Sequence, residues 1–190
     1  HRSIRRQRQM CIRDSDLREE LYQHMDTVSS KNISTNMVLP IDQHFNVKGV
    51  GLVAIGYVQS GTVNKHDEVV ILPAKETGVV RSLQVMDDDV DTAVAGDRVG
   101  VALRNLREES LHRGCMIIHP ESQALIRHDN SKIKIKTAPF QKRELTNEDV
   151  IHAAVDLQFV VGRIKRVDGD SISVEWENPL WIRSEGSPEI

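Results

Sequence analysis

The 190-residue chain has two cysteines, few aromatic residues and no long apolar run. Cys11 and Cys115 offer neither a disulfide framework nor the spacing of a metal site, and the eight histidines are scattered singly. No apolar run approaches the roughly 20 residues of a membrane-spanning helix, and no cleavable leader is recognisable. We therefore expect a soluble, cytoplasmic protein without a metal ion, and neither a membrane nor DNA as its partner.

The first fifteen residues differ from the rest in charge and in pattern. Five of the 25 Lys and Arg residues lie there, against one acidic residue, Asp14. Such a basic arm can bind nucleic acid. However, the string RRQRQMCIRDS resembles a translated sequencing adapter, and it lacks helical or strand periodicity. We interpret residues 1–15 as an artefact that contributes nothing to the fold or to function.

A helical pattern follows this segment. Apolar side chains at positions 17, 21, 25 and 28 fall on roughly one face of a helix, and acidic residues lie near its start, where they suit the helix dipole. The polar stretch 29–36 is typical of a linker. Residues 16–36 are therefore predicted to form one short helix and a linker.

After residue 37 the periodicity becomes that of β-strands. Short, β-branched runs separated by glycine- or aspartate-rich turns predict strands at 49–58, 67–73, 79–86, 98–103 and 114–118. The second half has the same kind of pattern. Apolar and polar residues alternate strictly at 132–136, two strands are predicted within 150–167, a hairpin turn at 167–170 and a further strand at 171–176. This spacing predicts an all-β chain of two consecutive small antiparallel β-barrels, at 37–118 and 119–190.

Several segments of the first half resemble domain two of the translational GTPases of the elongation factor Tu type. The segment PIDQHFNVKGVG carries the Pro, Asp, aromatic residue and Gly-x-Gly that open this barrel in the family. Further resemblances follow in order at 61–69, 95–106 (AGDRVGVALRNL) and 111–117 (LHRGCMI). The second half is similar, more weakly, at 155–159 and 177–180 to the third domain of archaeal paralogues and selenocysteine-specific factors.

The resemblance implies that a GTP-hydrolysing domain belongs upstream of this chain, with residues 16–36 as its last helix and linker. The full-length parent would bind GTP and Mg²⁺ through that domain. The chain itself has no phosphate-binding GxxxxGK[ST] loop. The sequence Asn64-Lys65-His66-Asp67 spells the NKxD box that reads guanine in GTPases, but here it is predicted to form the turn of a β-hairpin. We therefore expect neither an enzyme nor a cofactor site in this chain.

Two sets of candidate binding residues follow from the resemblance. In the family, a pocket on domain two holds the 3′ end of the charged tRNA, and domain three touches the tRNA stem. The candidates for the 3′-end pocket are Gln84, Val85, Met86 and Arg104. The candidates for contacts with the RNA backbone are Lys132, Lys134, Lys136, Lys142 and Arg143, although such lysines are also typical of a solvated edge strand.

These residues lead to one functional interpretation and one alternative. The first is the tRNA-binding half of an elongation factor that delivers aminoacyl-tRNA to the ribosome in a GTP-dependent manner. Its partners would be aminoacyl-tRNA, the ribosome and the missing GTPase domain. The alternative is a regulatory paralogue whose barrels bind protein or the ribosome instead. The acidic run 87–89 favours it because carboxylates repel phosphate, although the same run suits a solvated turn.

Overall fold

The computed structural model describes residues 2–27, 36–136 and 143–184, with the side chains of the helix described from residue 15 onward. The chain divides into two compact units, His1–Asn32 and Ile33–Ile190. The strands of the second unit are β1 (Val38–Val47), β2 (Gly51–Tyr57), β3 (Thr62–Asn64), β4 (Glu68–Leu72), β5 (Glu76–Val85), β6 (Asp88–Val90), β7 (Thr92–Val94), β8 (Arg98–Arg104), β9 (Met116–Ile118), β10 (Leu125–Lys134), β11 (Val150–Val155), β12 (Gln158–Asp168) and β13 (Ser171–Arg183).

The first unit contains helix α1, which spans Arg2–Thr27. Residues 2–15, which show no helical periodicity in the sequence, are part of this helix. Arginine and glutamine are good helix formers, so this segment needs no amphipathic pattern to be helical. The predicted apolar face at Leu17, Leu21 and Met25 is exposed. Whether residues 1–15 are an artefact stays a prediction, and the predicted linker lies mostly outside the described residues.

A closed barrel of six antiparallel strands forms the first part of the second unit. The pairing runs β4–β9–β1–β2–β8–β5, and β5 pairs back to β4, so the sheet closes on itself. Side chains alternate along β2, with Leu52 and Ala54 buried in the core and Val53 and Ile55 on the outer face. Irregular pairings in β1 and β5 bend the strands, as closure requires. The predicted first barrel is therefore confirmed.

The second part of this unit is a four-stranded antiparallel sheet in the order β10–β13–β12–β11. Among the described residues β10 and β11 do not pair, so the sheet is open, and the predicted second barrel is wrong to that extent. Alternation along a strand shows only that one face of a sheet is buried, a property that open and closed sheets share. The buried face holds a core that includes Ile164, Ile172, Val174, Trp176 and Leu180.

The barrel and the open sheet pack against each other through a small apolar cluster. Val38, Leu72 and Met116 contribute to it from the barrel, and Ala124 and Leu125 from the start of the sheet, with Trp181 packed against them. The turn at Gly114 lies so close to the β11–β12 hairpin that an added Cβ would lie 2.8 Å from the carbonyl oxygen of Leu157. Gly114 also has φ +89°, a conformation that favours glycine.

Candidate nucleic-acid-binding groove

A groove of about 1000 Å³ lies on the outer face of the barrel, across β1, β2, β8 and β5. The strand register explains its shape. One row across the sheet reads Phe45, Val53, Ala102, Ser82, because each residue is the cross-strand partner of the next. The adjacent row reads Gln43, Ile55, Gly100, Gln84, Asp89.

Small side chains in the middle of both rows form the floor of this groove. Gly100 and Ala102 on β8 occupy central positions and Ser82 lies beside Ala102 on β5, while Phe45 and Ile55 form an apolar wall on one side. A Cβ added at Gly100 would lie 3.9 Å from its nearest neighbour, the carbonyl oxygen of Gln84. The missing side chain therefore leaves space for a ligand and is not required by crowding of the strands.

Polar and charged groups line the opposite wall and one end of the groove. The Gln84 side-chain amide donates a hydrogen bond of 2.9 Å to Asp89. Asp87 also lines this wall. Arg98 lies at one end, with its guanidinium 6.0 Å from the centroid of the Tyr57 ring. The groove thus combines a flat apolar wall with hydrogen-bonding groups opposite it, an arrangement suited to a planar ring carrying polar substituents.

The β5–β6 turn rises beside the groove and exposes an apolar side chain. Met86 and Asp87 have φ values of 53° and 68° and connect the paired residues Val85 and Asp88. Two consecutive residues with positive φ form a type I′ turn, in which glycine, asparagine and aspartate are preferred. Met86 occupies this position with 92% of its surface exposed. A residue held in an unfavourable conformation beside a groove is a candidate contact for a ligand.

The structure brings three of the four predicted pocket residues together. Gln84, Val85 and Met86 line the groove, whereas Arg104 does not and lies at the opposite end of β8 from Arg98. The sequence analysis missed Arg98, Gly100 and the apolar wall. Phe45 is the aromatic residue of the opening motif, but the pairing of β1 with β2 that brings it to the groove is visible only in the structure.

Two of the candidate contacts with the RNA backbone, Lys132 and Lys134, lie on the outer face of the open sheet. Lys132 and Lys134 alternate with the inward-facing Ile133, as predicted, and Lys136 is exposed just beyond the strand. Lys134 lies 3.3 Å from Asp170, and Arg143 lies 2.6 Å from Asp149. No ion pair of Lys132 or Lys136 is found within the described segments. Lys142 lies outside the described residues.

The NKxD-like segment has a structural role. The Asp67 carboxylate accepts hydrogen bonds from the main-chain and side-chain nitrogens of Asn64, at 2.7 and 3.3 Å, and lies 3.1 Å from Nε2 of His119. His66 has φ 75°. The segment is a turn, as predicted, but the predicted hairpin is wrong, because β3 pairs with β7, and β4 pairs with β5 and β9.

We expect no measurable binding of GTP or GDP by this chain in isothermal titration calorimetry. The carboxylate that would read guanine already accepts hydrogen bonds within its own turn, and the sequence contains no phosphate loop to hold the charged end of the nucleotide. Asp67→Asn serves as the control, because it removes the carboxylate that would read guanine. Micromolar affinity that Asp67→Asn abolishes would contradict this interpretation.

The structure also brings a cysteine and a histidine together, a contact that was not predicted from the sequence. Cys115 Sγ lies 3.0 Å from Nδ1 of His112 and 3.5 Å from the carbonyl oxygen of Ser110. Burial raises the pKa of the Cys115 thiol, so the protonated form is favoured. Because only the thiolate is a strong nucleophile, we interpret this pair as part of the turn that leads into β9.

Comparison with known proteins gives an independent view of the same residues. Residues 51–118 match the family model of elongation factor Tu domain 2. A selenocysteine-specific elongation factor of Methanocaldococcus jannaschii is 34% identical over 150 residues, which cover 78% of this chain and 32% of the relative. An uncharacterized protein of the same organism is 32% identical over 142 residues, which cover 75% of this chain and 45% of the relative. The chain thus spans less than half the length of these relatives.

Solved structures agree with this relationship. The translation elongation factor SelB from Methanococcus maripaludis, in its apo form, superposes with a TM-score of 0.77 at 25% identity, covering 88% of this chain and 40% of that one. In the part of the chain that the structure describes, no helix is long and apolar enough to cross a membrane. Residues 51–118 form a domain of the elongation factor Tu domain 2 family, and over most of its length the chain is similar to parts of translation elongation factors of this type.

Proposed function

We propose that this chain is the tRNA-binding half of an elongation factor whose full-length form delivers aminoacyl-tRNA to the ribosome. The observation that supports this most is the groove beside Gln84, in a barrel of the elongation factor Tu domain 2 family. In the proposed complex, the terminal base of the tRNA lies against Phe45 and Ile55, and its ribose lies near Gln84. The GTPase domain of the full-length parent would hold GTP and Mg²⁺ and supply the hydrolysis.

The open sheet supplies the contacts with the RNA backbone in this proposal. Lys132 and Lys136 carry these contacts, because Lys134 and Arg143 already face carboxylates. Exposed ion pairs are weak, so Lys134 and Arg143 can exchange their carboxylate for a phosphate. Each then loses an existing ion pair and contributes less to RNA binding. With few phosphate contacts and a net charge of −3, the isolated chain binds RNA weakly and in a salt-dependent manner.

A regulatory paralogue that has lost tRNA delivery is the second candidate, and one feature of the groove favours it. The Asp87 and Asp89 carboxylates line the wall where a 3′-terminal phosphodiester would pass, and Asp89 accepts the hydrogen bond that the Gln84 amide could otherwise donate to a ribose. Because like charges repel, these two carboxylates disfavour a phosphate in the groove. In this candidate the groove binds a protein or the ribosome.

Titration of the chain with RNA stem-loops that carry or lack a 3′-terminal CCA is expected to show weaker binding of the shortened RNA. Gly100→Val should reduce the affinity for the CCA-bearing RNA at least tenfold, because two methyl groups would fill the floor of the groove. Thr77→Val is the matched control. It places the same side chain on an exposed position of β5 outside the groove, and its affinity should equal that of the parent chain.

The salt dependence of the same titrations separates the two candidates further. A log–log slope of roughly −2 to −4 is expected for a few phosphate contacts. Replacing both Lys132 and Lys136 by alanine should flatten this slope by about 1.5 to 2, while Lys134→Ala alone should change it less. Indifference to the CCA end and to Gly100→Val would reject tRNA delivery in favour of the regulatory paralogue. An unchanged slope would show that Lys132 and Lys136 are solvated and do not contact the RNA.

A further inference from the structure

The two edges of the open sheet are protected to different degrees. Edge strand β10 carries four charged side chains, at positions 127, 129, 132 and 134, and an irregular pairing after His128. Both features discourage the addition of another strand. Edge strand β11, with the sequence VIHAAV, contains no charged residue, proline or glycine and pairs regularly with β12. Among the described residues, no strand pairs with its other side.

The outer face beside β11 is apolar and exposed. Phe159 is 70% exposed and Val150 is 51% exposed. The His152 and Phe159 rings stack with centroids 5.0 Å apart at an angle of 16°. An exposed apolar surface that borders a free strand edge is a site where β-strands associate.

The direction of the free main-chain groups can be derived from the β11–β12 turn. Asp156 and Leu157 have φ values of 45° and 66° and join the paired residues Val155 and Gln158, so the turn is a two-residue type I′ turn closed by a hydrogen-bonded pair. Main-chain groups alternate in direction along an antiparallel ladder. The N–H and C=O groups of Val150, His152 and Ala154 therefore point away from β12.

We propose that β11 pairs antiparallel with β11 of a second copy of this chain, about a two-fold axis at His152. In this register Val150 faces Ala154 of the other copy, and His152 faces its own counterpart. Every outward-pointing group of the three residues then has a partner. Shifting the axis to Ala153 would leave the Val150 groups outside the pairing, so the His152 register forms the most hydrogen bonds.

Side-chain chemistry supports a second copy as the partner. Opposite residues in this register lie on the same face of the sheet, and the pairs contain no Asp, Glu, Lys or Arg. Phe159 lies across from Ala154, so in the dimer Phe159, Ala154 and Val150 of the other copy lie in one row across the three strands. One strand pair forms a contact smaller than the roughly 1,600 Å² of a stable complex, so the dimer is weak and depends on concentration.

Sedimentation equilibrium of the full chain should show an average mass that rises above 21.5 kDa as the concentration increases from about 1 to 500 µM. His152→Lys should weaken the dimer at least tenfold, because it places two like charges opposite each other at the axis. Ile126→Lys is the matched control. It adds the same charge at a 49% exposed apolar position on the other edge and should leave the association unchanged.

Cysteine cross-linking tests the register without depending on the lysine variant. His152→Cys in a Cys11→Ser background should form a covalent dimer on mild oxidation, because Cα atoms of a hydrogen-bonded antiparallel pair lie about 5.5 Å apart. Cys115 is buried. Ile126→Cys in the same background should not cross-link. The proposal would be overturned if the chain stayed monomeric at all concentrations. It would also be overturned if only Ile126→Lys weakened the dimer, or if only Ile126→Cys cross-linked.

Discussion

The Gly56→Ala variant is expected to lose the folded barrel under conditions in which the parent chain is stable. A Cβ added at Gly56 would lie 2.1 Å from the carbonyl oxygen of Pro40 and 3.2 Å from Cδ2 of Leu39. The Pro40 carbonyl belongs to the main chain of β1, and β1 pairs with β2 along one edge and with β9 along the other. Only a displacement of paired strands can relieve the overlap, so we expect a loss of about 4 kcal/mol or more.

Two spectroscopic signals can separate the barrel from the open sheet in this experiment. Trp176 is buried in the core of the open sheet and Trp181 packs at its junction with the barrel, so tryptophan fluorescence follows the sheet and the junction, whereas far-UV circular dichroism follows all the secondary structure. Urea unfolding of Gly56→Ala should show early loss of the dichroism signal.

Gly100→Ala is the control for this prediction. Gly100 pairs with Ile55, the neighbour of Gly56 in β2. Because a Cβ at Gly100 has no neighbour closer than 3.9 Å, alanine there should leave the stability unchanged or raise it by about 0.5–1 kcal/mol. An unfolding midpoint of Gly56→Ala equal to that of the parent would contradict the close approach of β1 and β2.

Several strand positions could be predicted from the sequence because these strands have one face in the core and one face outside. Alternation at Leu52 and Ala54, or at Ile133 beside the lysines, is a local property of the chain, and the structure confirms it. Gly61 lies in one of the glycine-containing turns between predicted strands, and its φ of +69° is a conformation that favours glycine. Short strands such as β3, β6 and β7 lack enough residues to show a period and were missed.

Pairing partners could not be predicted in the same way, because they depend on residues far apart in sequence. The groove exists only where Phe45, Val53, Ala102 and Ser82 come into one row across four strands. No local pattern contains that row. The wrong prediction of a closed second barrel has the same cause, since the alternation in β10 and β11 does not specify whether these two edge strands pair. The resemblance identified Gln84 as a pocket residue, whereas it gave Arg98 and Gly100 only as part of the barrel motif 95–106.

Gln158→Met is expected to destabilise the open sheet by about 2–5 kcal/mol. The regular β12–β13 ladder ends at the pair Gly162 and Trp176, and beyond it Pro179 has no N–H to donate. The buried Gln158 side chain bridges the strands at this end. Its amide donates to the carbonyl oxygen of Trp181 at 2.7 Å, and its Oε1 accepts the Trp181 main-chain N–H at 3.0 Å. One side chain thus forms the two bonds that a neighbouring strand would otherwise provide.

Methionine keeps the approximate shape of Gln158 and removes both hydrogen bonds to Trp181, together with a longer one of 3.4 Å to the carbonyl oxygen of Val155. The variant therefore measures mainly the cost of leaving the Trp181 main chain without these partners. Gln84→Met is the matched control, because Gln84 is exposed and bonds only to the exposed Asp89 in the described structure. It should change the stability by less than about 0.5 kcal/mol. Tryptophan fluorescence during urea unfolding reports the effect directly, since Trp181 itself packs at the junction with the barrel. Equal midpoints for Gln158→Met and Gln84→Met would show that water replaces the lost bonds, and that the junction stays open to solvent at this end.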